Sequence, residues 1–500
     1  MDYDIICTGS GITVLSYVLS LLKKDPTKRV LIIEKHRLVG GYSTCFTRPN
    51  QDSILDVSLH KLTGMGKNGN LRKLLESYGM LSELQMVYPD VMFMASTEKR
   101  KIHFHHDMSS LIEALKNYCD EDDMLALDDF FSDVMTYGYD SYMQHEILMG
   151  NYEPDFKRLR FAHKNLKGIT VYDKLKEKFK NSLLREMIAV PCIYVGAFPE
   201  QASYLYFLHV WYASFFNRTA YPTSGSQGIS DFFRKEIEKL GGTFKLRETV
   251  EKIHLSSDGT RCEKIETHKA TYTANKFVFN TSHEYVLSLM NQRERECIHL
   301  EQDQLPEIAN STTTLYIILN EAPEKLGLTV EEMIILSPDC DMAKSYRDRA
   351  RANPQDAALN EKAYWELSTI EVTNYHLLAP NHGKVIVINV LDRIEHWPER
   401  KTQPYKEKKL RVQSLILKRL IDHFPRVRDA IKYVEVASPK TYKRYTNNTN
   451  GSGFGYLVSG KSARIPLKLC DNIQIMSQWV SGGGYEATIT FGHMSSQMEE

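Results

Sequence analysis

Asp4-Ile5-Ile6-Cys7-Thr8-Gly9-Ser10-Gly11, followed by the apolar run Ile12 to Leu22 and by Val30-Leu31-Ile32-Ile33-Glu34, decides the fold. A short apolar segment, a glycine turn, a helix-length run and a second apolar segment form one βαβ unit. The second segment is apolar at consecutive positions, as expected for a strand buried on both faces. Glycines after the first strand let the backbone approach a pyrophosphate, whose charge sits on the free amides at the helix start. An acid ending the second strand accepts ribose hydroxyls, and residue 34 follows residue 9 at a spacing close to the usual ~20. Gly9, Ser10 and Gly11 are therefore the expected pyrophosphate turn, and Glu34 the expected ribose ligand. The third glycine of such turns is Val14 here.

Lys35-His36-Arg37-Leu38-Val39-Gly40-Gly41-Tyr42-Ser43-Thr44 comes next. An acid followed by Gly-Gly at this distance resembles the second motif of the glutathione-reductase-like flavoproteins. The resemblance implies FAD as cofactor, with Lys35, Gly40, Gly41, Tyr42 and Ser43 beneath its pyrophosphate and ribityl chain. A 2'-phosphate cofactor would call for Arg rather than Glu at 34. Leu55-Asp56-Val57-Ser58-Leu59-His60 then resembles the F-D-x-G-x-H-like stretch of phytoene desaturases, carotenoid isomerases and retinol saturases, with Ser58 at the family's glycine. The resemblance implies Asp56 at the cofactor and His60 near the flavin ring. His60 is the candidate catalytic group, able to move a proton near neutral pH; the alternative is a histidine that orients a loop.

Lys and Arg number 63 against 63 Asp and Glu, so no net field attracts nucleic acid. Eight cysteines are scattered without a C-x-x-C pair, which fits reduced, buried thiols rather than a disulfide frame or zinc site. No basic-then-apolar leader precedes the first strand, and no run approaches the ~18 apolar residues of a membrane span. The expected location is cytoplasmic. His103-Phe104-His105-His106-Asp107 invites a metal reading, but a solvated strand edge explains it and no metal is expected.

The aromatic run Tyr204 to Tyr221 places Phe207, Trp211 and Phe215 on one helix face, a candidate wall for an apolar substrate. Contact with a bilayer surface is a secondary reading of that run. Tyr221-Pro222-Thr223-Ser224-Gly225 resembles the same family's Y-P-x-G-G segment, and Val250 the residue whose backbone meets the adenine. The run Tyr405 to Phe424 predicts a helix with Leu410, Ser414, Leu417, Leu420 and Ile421 along a face. Near the end, Trp479-Val480-Ser481-Gly482-Gly483-Gly484-Tyr485-Glu486-Ala487-Thr488 resembles the family's C-terminal flavin motif. That resemblance puts Gly483, Gly484, Tyr485 and Thr488 at the isoalloxazine end of FAD.

The expected architecture is α/β: a Rossmann-like FAD-binding domain assembled from residues 1–86, 222–285 and 455–500. An α+β substrate domain is inserted as residues 87–221 and 286–454. The resemblance implies an FAD-dependent oxidoreductase that desaturates, saturates or isomerises C–C bonds of an apolar polyene by hydride transfer, with an unidentified electron acceptor. Two alternatives share the architecture: an amine-oxidase-type flavoenzyme acting on C–N bonds, and a non-catalytic binding protein of the GDP-dissociation-inhibitor type.

Overall fold

The computed structural model describes residues 2–97, 100–148, 152–298, 300, 305–341, 344, 357–459 and 465–499. Its first βαβ unit comprises the strand Tyr3–Thr8, the helix Ile12–Lys24 and the strand Val30–Glu34, all five residues of which are buried. These strands lie at the middle of a six-stranded sheet. Its order is Lys468–Cys470, Ile473–Ile475, Ala274–Phe279, Tyr3–Thr8, Val30–Glu34 and Thr243–Leu246. All neighbours pair parallel except the outermost Lys468–Cys470, so the fold is α/β with its ligand end at the carboxyl ends of the strands.

Val14 is fully buried in the core of this layer. The close approach comes instead from the C-terminal helix Tyr485–Gln497, where a Cβ on Gly492 would lie 2.3 Å from the Thr13 carbonyl oxygen. The Ser16 hydroxyl, donating to the Ile489 carbonyl at 2.7 Å, fixes the same pair of helices. The helix after Tyr221-Pro222 runs Gly225–Lys239. The buried carboxylate of Asp56 accepts from the Ser226 amide (2.8 Å) and hydroxyl (2.9 Å), anchoring that helix's first turn.

The second layer is a seven-stranded, mostly antiparallel sheet. Its order is Ile431–Ala437, Ser311–Leu319, Val385–Asp392, Ile370–Asn374, Glu332–Ile335, Val91–Ser96 and Lys101–His105. Alternation gives its strands two chemically different faces. Ile370, Val372, Met333, Ile335, Ile386 and Ile388 enter an apolar core closed by the helix Gln403–His423. That helix buries the expected face only in part: Leu420 faces inward with Tyr405, Val412 and Ile416, whereas Leu410 is 64% exposed. The register is fixed by partners distant in sequence. Lys408 lies over the Trp397 ring, and the buried Arg419 donates to the Leu336 carbonyl at 2.9 Å. Ile416→Ala should cost about 2–5 kcal/mol, read as a lowered melting temperature.

The aromatic run folds as the helix Tyr204–Trp211, continued by a single π turn at Tyr212–Phe216. Among the described residues no helix is long and apolar enough to cross a membrane.

Candidate functional site

A cavity of about 760 Å³ runs from the carboxyl ends of the parallel strands to the polar face of the seven-stranded sheet. At its first end, Gly9 takes φ +87° and Gly11 caps the helix Ile12–Lys24 with no side-chain hydrogen bond, leaving first-turn amides facing the cavity. The helix Tyr485–Gln497 is likewise capped by a glycine, Gly484 at φ +101°, with no side-chain partner. Two glycine-started helix N-termini thus converge on one space, each carrying partial positive charge and unsatisfied donors. Gly41, at φ +63°, faces Gly11, and a Cβ on it would rest in ordinary contact 3.5 Å from the Gly11 Cα.

Glu34 is 6% exposed and lines the same space. Its Oε2 accepts from the Ser10 amide (2.9 Å) and hydroxyl (2.6 Å), and its Oε1 from the His36 amide (2.8 Å). A carboxylate offers about four lone-pair sites, so acceptor capacity remains toward the cavity. Lys35 donates to the Arg444 carbonyl and to Asn447 Oδ1, both at 2.8 Å. It neutralises the carboxyl end of the helix Pro439–Thr446. Gly40, Tyr42, Ser43, Val250, Gly483, Tyr485 and Thr488 also border the cavity.

Asp56, expected at the cofactor, does not border it. Six protein donors surround the carboxylate: the Ser226 amide and hydroxyl, the Tyr221 hydroxyl, the amides of Ser58 and Leu59, and the Cys45 thiol. Asp56 therefore shapes the loop that carries His60. Ser58, at the position of the family's glycine, donates from its hydroxyl to the Tyr42 carbonyl at 3.0 Å and lies 3.3 Å from the Tyr485 hydroxyl.

The expected substrate wall is also corrected. Phe207, Trp211 and Phe215 share one face of their helix, but that face is in the apolar core: each is no more than 2% exposed, and the Trp211 and Phe215 rings stack at 4.2 Å. The opposite face borders the cavity through Tyr206, His209, Val210 and Ala213. Periodicity identified the apolar stripe, which belongs to the core; the half-polar stripe faces the ligand space.

His60 does border the cavity, where it meets residues that sequence reasoning missed. Its Nδ1 lies 2.7 Å from Glu371 Oε1 and 2.8 Å from the Thr373 hydroxyl, and its Nε2 lies 3.0 Å from Asn389 Nδ2. Beside this pair, Lys61 Nζ sits 2.8 Å from Glu332 Oε2, both side chains almost fully buried, and the Tyr194 hydroxyl donates to Glu332 Oε1. The acids come from one sheet face: Glu371 pairs across strands with Asn389, Thr373 with Glu332, and Thr314 with Asn389. The sequence signal was polar residues alternating with Ile and Val in Ile370-Glu371-Val372-Thr373.

His60, Glu332 and Glu371 hold their ligand atoms within 4.8 Å of one another. Lys61 already brings positive charge to Glu332, and both ring nitrogens of His60 have protein neighbours, so the group is a charge network rather than a metal cage. Burial alone would pull the His60 pKa down; the Glu371 and Glu332 carboxylates outweigh it and raise it above the ordinary value. Burial raises Glu371, whereas for Glu332 burial is outweighed by Lys61 and His60, which hold it below the ordinary range. Burial also raises Glu486, despite hydroxyls of Thr63 and Tyr142 donating to it at 2.7 Å each.

Two further imidazoles set an acid limit. Burial pushes His209, in the cavity wall, and His106, behind it, down to about 4. Both are then neutral in the fold, while the unfolded chain binds protons near pH 6.5. Stability should therefore fall as pH drops from about 6.5 toward 4. Thermal melts across that range check this, with the slope reduced in H106Q/H209Q.

Fold and groove define a two-layer protein built on a Rossmann-like dinucleotide-binding unit. Residues 8–78 match the NAD(P)-binding Rossmann-like domain. The all-trans-retinol 13,14-reductase of Danio rerio is 22% identical over 490 residues, covering 91% of this chain and 77% of that protein. The chloroplastic prolycopene isomerase of Daucus carota is 22% identical over 488 residues, 92% and 72% of the two chains. An oxidoreductase from Methanosarcina mazei has a similar fold, with TM-score 0.63 at 14% identity over 99% of this chain and 100% of the other. So does the cyclohexylamine oxidase of Brevibacterium oxydans, at TM-score 0.59 and 12% identity over 99% and 98%. Over about nine-tenths of its length the chain is thus similar to a retinol reductase and to a prolycopene isomerase.

Proposed function

We propose that the chain is an FAD-dependent oxidoreductase that desaturates, saturates or isomerises C–C double bonds of an apolar polyene. The observation carrying this reading is the single cavity. One end offers two glycine-started helix N-termini and the Glu34 carboxylate; the other opens onto His60 and a wall drawn from the helix Tyr204–Trp211. The residues fit the cofactor: a Cβ at Gly41 would fill the cradle against Gly11, and Gly484 has open space beside it. Gly9, Ser10, Gly11, Gly40 and Gly41 would hold the pyrophosphate, Glu34 a ribose, and Gly483, Gly484 and Tyr485 the ring end. Val250 would lie along the adenine. Bound flavin supplies hydride transfer; the protein binds an alkene beside the ring, keeps water out and handles the proton.

The similarity to retinol- and prolycopene-converting enzymes over about nine-tenths of the chain supports the polyene reading. Access from a lipid surface suits such a substrate. The helix Phe156–Leu166 supports it, with Phe156 66% and Phe161 54% exposed beside the exposed Lys157, Arg160 and Lys164.

The test is the visible spectrum of purified protein with FAD, before and after dithionite, followed by anaerobic incubation of the reduced protein with retinol and with prolycopene. A flavin spectrum that bleaches, and a product differing in double-bond number or geometry, are expected. A protein that retains no flavin overturns the reading.

A further inference from the structure

Outside the dinucleotide end, the described residues assemble one cluster of four charged groups in the cavity: His60, Lys61, Glu332 and Glu371. With His60 protonated, two cations face two carboxylates; with His60 neutral, the cluster carries one excess negative charge. Such a group is costly to keep from water unless every charge is paired, so its place in the cavity wall needs a chemical reason.

We propose that Glu371 is the acid of this cavity, charged by His60: a proton passes from His60 Nδ1 to Glu371 Oε1 and from that carboxyl to carbon. The inference rests on the polyene reading. In the reducing direction a bound, reduced flavin would supply the hydride for one new C–H bond at an alkene carbon. The O–H bond of Glu371 breaks as the second C–H bond forms on the neighbouring carbon. The alkene gains two electrons and is reduced; the flavin is oxidised. Glu371 is left as a carboxylate, His60 as a neutral ring, and solvent returns the proton. In the desaturating direction Glu371 accepts the proton instead.

The surroundings match both protonation states. Glu371 and Asn389 are opposite one another on adjacent strands, so the acid, the imidazole and the amide are positioned by sheet register rather than by a loop. The Thr314 hydroxyl donates to Asn389 Oδ1 at 2.6 Å, which turns Nδ2 toward His60 Nε2. A neutral ring in this arrangement carries its proton on Nδ1, toward Glu371; the cationic ring that gives up Nδ1–H in the proposed step keeps its proton on Nε2. Because a primary amide presents a donor on one side and an acceptor on the other, its rotation offers Oδ1 to Nε2–H when the ring is cationic. The groups that face His60 are Glu371 and Glu332 from the sheet, Asp56 and Lys61 from its own loop, and Tyr194 behind Glu332. Lys61 neutralises Glu332, leaving Glu371 as the carboxylate that exchanges a proton with His60.

Two measurements test this on the full-length protein. The first follows the His60 ring by NMR in protein labelled at histidine, with H60Q as the assignment control and without added flavin or substrate. The His60 pKa should lie above about 6.5 in the wild type and below it in E371Q. The second uses flavin-loaded protein. E371Q should retain flavin and KM, lose about 100-fold or more in kcat, and lose the alkaline limb of the wild-type pH profile. Identical His60 titration in wild type and E371Q, or a kcat within about threefold of wild type, overturns the proposal. A wild-type His60 pKa below 6.5 also overturns it, without reference to a variant. If no polyene is converted by the wild type, the polyene reading falls, while the titration still decides whether the two groups share a proton.

Discussion

Replacing Lys61 with methionine should cost the fold about 3–5 kcal/mol. Lys61 is 3% exposed and Glu332 1% exposed, with nitrogen and oxygen 2.8 Å apart. Methionine keeps most of the side-chain volume but leaves Glu332 beside Glu371 with no cation except His60. The cost should depend on pH in a defined direction. In the wild type Glu332 is held below its ordinary pKa, so its contribution is present above about 4.5 and is lost as pH falls through the folded value. Without Lys61 burial dominates and raises that pKa, so the penalty grows as pH rises above about 4.5. Melts of K61M at pH 8 and pH 5.5 check this: the drop in Tm should be larger at pH 8, and K61M/E332Q should recover most of it. Equal drops at both values would show lost packing rather than an uncompensated charge.

Glu34→Ala should weaken FAD binding by roughly 10- to 100-fold. A hydrogen bond to a charged acceptor contributes about 1.5–3 kcal/mol, and each 1.4 kcal/mol is tenfold. Removing the carboxylate also leaves the amides of Ser10 and His36 without their partner, loosening the turn that carries Gly9 and Gly11. Glu34→Gln separates the two effects, because it keeps an acceptor for one amide and loses the charge. Titration of FAD into apo protein, followed by flavin fluorescence, gives the affinities. Unchanged affinity in Glu34→Ala would remove Glu34 from the site.

The first βαβ unit was legible because its grammar is local: strand, glycine turn, helix, strand and acid follow one another within residues 3–34, and the structure reproduces them nearly residue for residue. The charge network was not, because His60, Glu332, Glu371 and Asn389 meet only through strand order and register. One sequence carries no register for strands separated by tens of residues. Leu410 shows a second limit. The helix containing it has apolar residues on more than one side, and only packing against Trp397 and the carbonyl of Leu336 decides which side turns inward. Phe207, Trp211 and Phe215 show a third: an aromatic stripe signals burial, while a ligand wall here comes from the stripe mixed with Tyr206 and His209. Asp56 was recognised as special by its motif, yet its partners Tyr221 and Ser226 lie more than 160 positions away.

The contact of Gly492 with Thr13 has a consequence for synthesis. The helix Tyr485–Gln497 leaves the ribosome 473 residues, counted from Ile12 to Tyr485, after the helix Ile12–Lys24 against which it docks. At 5–20 residues per second the two are separated by roughly 24 to 95 seconds. Throughout that interval the buried face of the early helix lacks its cover, and the dinucleotide groove lacks one of its two walls. The dinucleotide groove is complete only once both helices have been made, so cofactor capture follows synthesis of the second helix rather than of the first.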